Sequence, residues 1–173
     1  MDDGSRADES VDQATLCFVC DGDEVLLIEK KRGIGAGLYN GPGGKVESGE
    51  TPREAVIREV REEVRVEVRD LTRLGDITFY FGDDPLFRCH CYRTESYSGT
   101  PTETPEADPE WVAMDAVPYD EMWEDDRYWL PHLLGGERVH GRFDFDDDGD
   151  ELLEYELSVG ESLPEPSEPP AWD

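Results

Sequence analysis

Residues 44–66 read GKVESGETPREAVIREVREEVRV, and this stretch decides the fold. Its centre predicts the start of a helix, with Thr51 at the N-cap, Pro52 at the first helical position and Glu54 at the third. Valines then recur every four residues and provide an apolar stripe to bury. The stretch therefore predicts a helix that packs on a core.

Three glutamates of this helix share one face. Glu59, Glu62 and Glu63 stand at positions i, i+3 and i+4, so their carboxylates project in the same direction. Carboxylates this close repel one another and raise each other's pKa unless a cation lies between them. Oxygen ligands of this kind suit Mg²⁺ or Mn²⁺, which also bind substrate phosphates.

A glycine-rich loop, GPGGK at residues 41–45, precedes the helix. Glycine allows a backbone to approach a ligand closely, so we expect Gly43 and Gly44 to lie against the substrate. The backbone carbonyl of Gly43 is a candidate metal ligand, and Lys45 is a candidate phosphate contact.

The stretch resembles the Nudix box, whose pattern is G-x5-E-x7-R-E-U-x-E-E-x-G-U with U aliphatic. Arg65 stands where the pattern has its last glycine, and a left-handed backbone there would cost about 1 kcal/mol. The matching positions are Gly44, Glu50, Arg58, Glu59, Val60, Glu62, Glu63 and Val66.

Chance is the alternative explanation, because the chain has 44 Asp and Glu against 16 Lys and Arg. Any helix of such a chain shows carboxylates on its surface. Chance does not account for Arg58 eight residues after Glu50, for the glycine loop or for the helix cap. These features together favour the motif.

The Nudix resemblance implies a loop–helix–loop that holds a metal ion against a nucleoside diphosphate linkage. By position, Glu59, Glu62 and Glu63 would be metal ligands or the base that activates water. Arg58 would pair with Glu50 and keep the loop aligned. The pattern leaves open which glutamate is the base.

Residues 15–159 resemble the MutT-homologue branch of this family, which hydrolyses oxidised purine nucleoside triphosphates. The similarity rests on KKRGIGAGLYNGPGGKVESGE at 30–50, on MWEDDRYWLP at 122–131 and on VHGRFDF at 139–145. The second and third segments are not general features of the family. The resemblance implies release of the nucleoside monophosphate and pyrophosphate.

In that branch the residues matching Trp123, Asp125 and Asp126 hold the purine base. Two adjacent carboxyl groups in a pocket rarely both ionise, so one donates and the other accepts hydrogen bonds while the indole stacks on the base. The remaining matches are the pocket positions Thr15, Lys30, Asn40, Phe79 and Phe81 and the extra metal-binding position Glu106.

Each of these positions also has a plainer reading. Phe79 and Phe81 alternate along a strand and fit core packing as well as base contact. Trp123 could cap the core, Lys30 could point into water, and residues 125–126 could be ordinary surface acids.

Two positions depart from the branch. Ile34 and Ala107 stand where the animal enzymes have phenylalanine and methionine in the pocket. Smaller apolar side chains there predict a wider pocket and weaker base discrimination, by about 1–3 kcal/mol.

The chain predicts a single α/β domain, in which residues 13–159 form an α/β/α sandwich around a mixed sheet. Residues 1–12 are read as a disordered acidic arm and residues 160–173 as a proline-rich acidic tail with no core to join. The predicted strands are 15–20, 24–28, 77–81 and 87–92, followed by a helix at 127–134 and a hairpin of 139–145 with 152–159.

The net charge of −28 argues against binding of nucleic acid polymers, because phosphate contacts need basic patches. A small triphosphate remains compatible, since a metal ion with Lys30 or Lys45 acts locally. Many acids and few lysines are typical of salt-rich cytoplasm, where charges are screened within about 3 Å at molar salt. No apolar run predicts a signal peptide or membrane span, so we expect a cytoplasmic protein and, by default, a monomer.

The cysteines invite a zinc interpretation, since Cys17 and Cys20 form C-x-x-C while Cys89 and Cys91 flank His90. Both pairs lie on predicted strands, where Cys17 and Cys20 point to opposite faces. Buried free thiols are the better prediction, with His90 as a sheet residue.

Residues 144–149, DFDDDG, begin like a calcium-binding EF-hand loop. The twelfth position, where a glutamate belongs, is Tyr155, and the preceding residues alternate like a strand. We therefore predict a hairpin turn.

Three functional hypotheses follow. The first is a Mg²⁺-dependent pyrophosphohydrolase of oxidised purine nucleoside triphosphates such as 8-oxo-dGTP. The second keeps the chemistry but changes the substrate to an ordinary nucleotide, a pterin triphosphate or a nucleotide sugar. The third is a non-catalytic nucleotide or calcium sensor, which is disfavoured because the glutamates needed for catalysis are present.

Overall fold

The computed structural model describes residues 11–33 and 35–169 as one α/β domain built on a large mixed sheet. Two α-helices flank it, α1 at Pro52–Val64 and α2 at Asp126–Leu134. The strands are β1 Asp12–Asp21, β2 Glu24–Lys30, β3 Tyr39–Asn40, β4 Glu67–Arg69, β5 Thr72–Phe81, β6 Asp84–Thr94, β7 Ser96–Ser98, β8 Ala107–Ala113, β9 Val139–Phe145 and β10 Leu152–Val159.

The main sheet has eight strands in the order β10-β9-β5-β6-β1-β2-β3, and β8 also pairs with β2. The β1–β6 and β5–β9 pairs are parallel, and the other pairs are antiparallel. β4 and β7 form a separate two-stranded sheet. The predicted mixed sheet is therefore confirmed.

Both faces of the sheet are covered, as the alternation along β1 shows. Phe18 and Cys20 belong to the apolar cluster that contains helix α2, whereas Cys17 and Val19 belong to the cluster under helix α1. Successive strand residues point to opposite faces, so the two helices lie on opposite sides. The predicted α/β/α layering is confirmed.

Several local predictions are also confirmed. All four cysteines are buried free thiols, and His90 lies in β6 with its ring nitrogens near Arg73 and Gln13. Strands β9 and β10 form the predicted hairpin, whose turn is held by Asp146 Oδ1, the acceptor of the Asp150 amide at 2.8 Å.

The ends of the chain differ from the prediction. Strand β1 begins at Asp12, one residue inside the predicted arm, and residues 1–10 lie outside the described part of the chain. The described residues of the tail are not buried, but they make contacts that the sequence did not predict. The side chains of Arg73 and Arg88 donate hydrogen bonds to tail carbonyls between residues 164 and 168.

Strands β3, β4, β7 and β8 were not predicted from the sequence. They are short or carry mixed polar residues, and β8 reads ADPEWVA with a proline and two acids. No helix of the described residues is long and apolar enough to cross a membrane.

Candidate active site

Helix α1 begins as its sequence predicts. Thr51 Oγ1 accepts a hydrogen bond from the Glu54 amide at 3.1 Å, and Glu54 Oε1 accepts one from the Thr51 amide at 2.9 Å. This reciprocal capping box, with Pro52 at the first position, fixes where the helix starts. The start in turn fixes which face carries the glutamates.

Three carboxylates converge beside this helix. Glu59 and Glu63 come from α1 and Glu106 from the segment before β8, and each offers an oxygen within 4.8 Å of the others. We call these three residues the glutamate cluster. Glu63 is 5% exposed, and its Oε1 accepts a hydrogen bond from the Gly43 amide at 2.8 Å.

Burial makes the glutamate cluster electrostatically costly. Desolvation raises the pKa of Glu63 to about 7, with Glu59 and Glu106 adding to the shift. Desolvation also raises the pKa of Glu59, against the opposing effect of Arg58. Three hard oxygen donors so close together fit Mg²⁺ or Mn²⁺, whose charge would remove the repulsion.

The glycine loop reaches the cluster because Gly43 and Gly44 have no side chains. A Cβ on Gly43 would lie 2.0 Å from the Thr15 carbonyl oxygen, and a Cβ on Gly44 would lie 2.4 Å from the Glu59 carboxyl carbon. Thr15 is buried and donates from Oγ1 to the Gly44 carbonyl at 2.9 Å. The loop is therefore pressed between strand β1 and helix α1. The metal-ligand role of the Gly43 carbonyl stays a prediction.

Arg58 forms the predicted pair with Glu50. Its Nε and Nη2 donate to the two Glu50 carboxylate oxygens at 2.6 and 2.9 Å, and Nη2 also donates to the Lys45 carbonyl at 3.2 Å. The pair lowers the pKa of Glu50 to about 2 through the Arg58 hydrogen bonds. Arg58 thus ties the loop to the helix.

Glu62 lies apart from the other predicted ligands. Its carboxylate is half exposed and sits 3.2 Å from Arg58 Nη1. It is not a member of the glutamate cluster, which Glu106 completes instead. The third predicted carboxylate of the helix face therefore faces the arginine in this conformation.

One cavity of about 390 Å³ joins the glutamate cluster to the predicted base site. Every residue predicted from the sequence to bind substrate lines it. These are Thr15, Lys30, Asn40, Gly43, Gly44, Lys45, Phe79, Phe81, Trp123, Asp125 and Asp126. Lys45 is largely exposed and lies 3.1 Å from Asp12.

Asp125 and Asp126, which we call the aspartate pair, are 1% and 2% exposed. Trp129 Nε1 donates to Asp125 Oδ2 at 2.7 Å, while Asp125 Oδ1 and Asp126 Oδ2 are buried without a hydrogen-bond partner. Desolvation raises the pKa of Asp125 to about 7 and raises that of Asp126 well above its ordinary value. Burial therefore favours the protonated form of both carboxyl groups, and the two oxygens without partners have hydrogen-bonding capacity to offer a ligand.

Asn40 is oriented by its own loop. Its Oδ1 accepts a hydrogen bond from the Gly41 amide at 2.8 Å, which leaves the Nδ2 donors of this cavity-lining amide for a ligand. The Asn40 amide and the two buried carboxyl groups together form a polar edge, which is suited to the rim of a heterocycle.

Aromatic rings form the walls near the aspartate pair. The Trp123 ring centroid lies 6.1 Å from that of Phe81 and 5.9 Å from that of Phe145. Gly35 lets a neighbouring loop approach, since a Cβ there would lie 2.8 Å from Trp123 Nε1. Phe81 therefore packs against neighbouring rings and also lines the cavity, and its contact with a base stays a prediction.

Some cavity residues were missed by sequence reasoning. Their strand alternation could have found Phe87 and Cys89, which share a face with Phe79 across the β5–β6 pair. The missed residues are Ala14, Leu16, Ile28, Gly41, Phe87, Cys89, Trp129 and Phe145.

The two departures from the branch have different outcomes. Ala107 is fully buried in the cluster under helix α1 and does not line the cavity. It pairs across the sheet with Lys30, which does line the cavity, and the wider pocket expected at this position stays a prediction. Ile34 lies outside the described residues.

Arg65 ends helix α1 with φ 65° and ψ 33°, a left-handed conformation. This confirms that the residue stands where the backbone favours glycine.

Comparison with known proteins adds independent findings. The model of the NUDIX domain matches residues 11–133. The chain is 42% identical to the oxidized purine nucleoside triphosphate hydrolase of Mus musculus over 150 residues, which cover 86% of this chain and 96% of the mouse protein. It is 41% identical to the protein of the same name from Danio rerio, with the same coverage.

A solved structure is similar over nearly its whole length. The MutT protein of Bacillus halodurans superposes with a TM-score of 0.76 at 31% identity, covering 85% of this chain and 97% of that protein. The shared fold includes the sheet and helices that build the cavity.

Proposed function

This chain belongs to the Nudix hydrolase family, whose members use divalent metals, and from that premise we propose that it hydrolyses oxidised purine nucleoside triphosphates. The products are the nucleoside monophosphate and pyrophosphate. The observation that supports this most strongly is the single cavity, which has the glutamate cluster at one end and the aspartate pair at the other. A nucleotide has the same two ends, a phosphate chain and a base.

At the phosphate end, the chain's own residues hold the glycine loop in place and orient the glutamate cluster. Arg58 fixes the loop to helix α1 through Glu50, and the Gly43 amide orients Glu63. The glutamate cluster would hold a divalent cation, which we propose to be Mg²⁺ and which would supply positive charge to the phosphate oxygens and lower the pKa of a bound water. A carboxylate of α1 accepts the proton of the attacking water as the phosphorus–oxygen bond to pyrophosphate breaks.

At the base end, the aspartate pair and Asn40 read the hydrogen-bonding edge of the purine. Oxidation of a purine changes which edge atoms donate and which accept. A protonated carboxyl can donate while its neighbour accepts, so the pair can match such a changed edge. Trp123 stacks on the face of the base.

The test is product analysis of the purified protein with 8-oxo-dGTP, 2-hydroxy-dATP, dGTP and dATP in molar KCl with Mg²⁺. We expect the oxidised nucleotides to be converted to monophosphate and pyrophosphate in preference to dGTP and dATP. Equal turnover of all four would leave the hydrolase chemistry and remove the oxidised-purine assignment.

Glu59→Gln in the same assay separates an enzyme from a nucleotide sensor. Loss of turnover is expected, because the substitution removes a charge from the glutamate cluster and keeps the size of the side chain. Unimpaired turnover would place the chemistry elsewhere.

The net charge of −28 supports a salt-rich cytoplasm as the setting and free nucleotides, rather than nucleic acid polymers, as the substrate. We propose a monomer, since the cavity is built from one chain.

A further inference from the structure

The sheet face opposite helix α2 carries a buried ionic network. Ile77 and Cys89 point into the cluster with helix α2, so the alternating residues Asp76 and Arg88 point to the other face. Asp76 is 1% exposed and Arg88 is 4% exposed. Arg88 Nη2 and Arg73 Nη2 approach Asp76 Oδ2 at 2.6 and 2.8 Å. We call Arg73, Asp76 and Arg88 the arginine cradle.

All five N–H donors of Arg88 are used. Nε and Nη2 donate to the two Asp76 oxygens at 2.9 and 2.6 Å. The other three donors reach backbone carbonyls of the tail, at Glu165, Pro166 and Glu168, over 3.3, 3.2 and 2.6 Å. Asp76 accepts hydrogen bonds from only two of the five donors of this buried guanidinium. The tail carbonyls accept from the other three.

Arg73 extends the contact along the tail. Its Nη1 donates to the Pro164 carbonyl at 2.8 Å, and its Nε lies 3.2 Å from His90 Nδ1. Four tail carbonyls are thus held by two arginines that are 77 to 91 residues away in sequence. Such long-range contacts are specific to the folded chain.

A turn within the tail orients these carbonyls toward the arginines. Residues 165–168, EPSE, form a turn in which the Glu168 amide donates to the Glu165 carbonyl at 2.9 Å. The Glu165 amide in turn donates to Glu168 Oε1 at 2.8 Å. Pro166 at the second position is the favoured residue of a type I turn. The turn is therefore encoded locally, before any contact with the cradle.

The charges explain why carbonyls, rather than carboxylates, make the contact. Arg73 and Arg88 carry two positive charges and Asp76 one negative charge, a rare basic excess in a chain of net charge −28. The acidic side chains of the tail stay exposed, whereas the neutral carbonyls face the guanidinium groups. This arrangement avoids burying further carboxylates, which is costly.

We propose that the arginine cradle is a binding site for a proline-containing peptide turn, which residues 161–169 of the same chain fill as an intramolecular latch. The latch contacts strands β5 and β6 through Arg73 and Arg88, on the sheet face opposite helix α2. The same strands present Phe79, Phe87 and Cys89 to the cavity, so the latch stabilises the wall of the cavity.

The test compares two glutamate substitutions in the full-length chain. Glu168→Ala removes the side chain that caps the turn. The matched control Glu161→Ala removes an exposed tail carboxylate and keeps the backbone carbonyl that accepts a hydrogen bond from Arg138 Nε. Hydrogen exchange of the tail amides is expected to rise about fivefold or more in Glu168→Ala only. The melting temperature should fall by about 2–4 °C in the same variant.

A synthetic peptide with the sequence of residues 160–173, added to the Glu168→Ala protein, separates binding from a general loss of charge. The melting temperature should recover in a saturable manner, and a scrambled peptide should have no effect. Equal behaviour of the two glutamate variants, or no response to the tail peptide, would overturn the proposal. Neither measurement depends on hydrolytic activity, so the substrate assignment and the latch can fail independently.

Discussion

The glutamate cluster and the aspartate pair are two groups of buried carboxylates in one cavity, and their surroundings differ. The cluster lies on a glycine loop and a helix, where the Gly43 amide and Arg58 reach Glu63 and Glu59. The aspartate pair lies at the start of helix α2 among aromatic rings, with Trp129 as the donor to one carboxyl. Desolvation raises the pKa in both groups.

The difference shows how the same chemical group is prepared for opposite tasks. The cluster brings together three carboxylates, an arrangement that a divalent cation stabilises. The aspartate pair is more deeply buried and keeps two oxygens without partners, an arrangement that protons stabilise. One end of the cavity is therefore suited to phosphate with metal and the other to a neutral heterocycle.

Neutralising one carboxylate of the glutamate cluster should have the largest effect on turnover. Glu63→Gln keeps the size of the side chain and removes its charge, so we expect turnover to fall about a thousandfold. The ratio of turnover between oxidised and ordinary purine substrates should stay the same. Steady-state kinetics with both substrates measures these quantities, and a change in the ratio would show that the two groups are not separate.

Removing the hydrogen-bonding group at the other end should have the next largest effect. Asp126→Ala is expected to lower kcat/KM for the oxidised purine substrate about a hundredfold, because edge contacts to the base are lost. The requirement for divalent metal should be unchanged. A matching loss for ordinary purines would contradict a role in base recognition.

The raised pKa of Asp125 should make the stability of the folded protein depend on pH. Asp125 has a pKa raised to about 7 in the folded protein, so its contribution to stability is full below its unfolded value near 4 and is lost as the pH rises through 7. Asp125→Asn retains an acceptor for Trp129 and cannot ionise.

We therefore expect the melting temperature of the wild type, relative to that of Asp125→Asn, to fall by several degrees between pH 4 and 8. Thermal denaturation at a series of pH values checks this. Parallel curves for the two proteins would show that the pKa of Asp125 is not raised by folding.

Salt should change the melting temperature by screening charges on the surface, and not through either buried carboxylate group. The net charge of −28 destabilises the compact state at low salt, so the melting temperature should rise by several degrees from low salt to molar KCl. The same rise is expected in Asp125→Asn. Unchanged melting across this range would contradict the salt-rich setting.

The sequence predicts the two groups for different physical reasons. The helix cap and the spacing of Glu59 and Glu63 are local, so helix geometry alone places both carboxylates on one face. The position of the aspartate pair was implied by family resemblance, because no local rule buries two acids. Glu106 joins the cluster through the pairing of β8 with β2, which was not predicted.

Two features that the sequence did not predict share a cause. Ala107 faces helix α1 because of the register of β8, and the tail docks because Arg73 and Arg88 lie on strands far away in sequence. Composition describes the tail correctly as acidic and proline-rich. It does not reveal a long-range hydrogen-bond partner, since the four carbonyls that make the contact are backbone groups.

The smallest expected effect tests whether the helix that carries the cluster can be changed without altering either group. Arg65 closes helix α1 with φ 65°, so Arg65→Gly should relieve strain of about 1 kcal/mol and raise the melting temperature by about 2–4 °C. Turnover and base selectivity should stay at wild-type values, because residue 65 does not line the cavity. Thermal denaturation with kinetics on the same preparation measures both. A stabilised variant with reduced turnover would mean that strain at the end of α1 adjusts the position of Glu63, and the two carboxylate groups would then differ in rigidity as well as in charge.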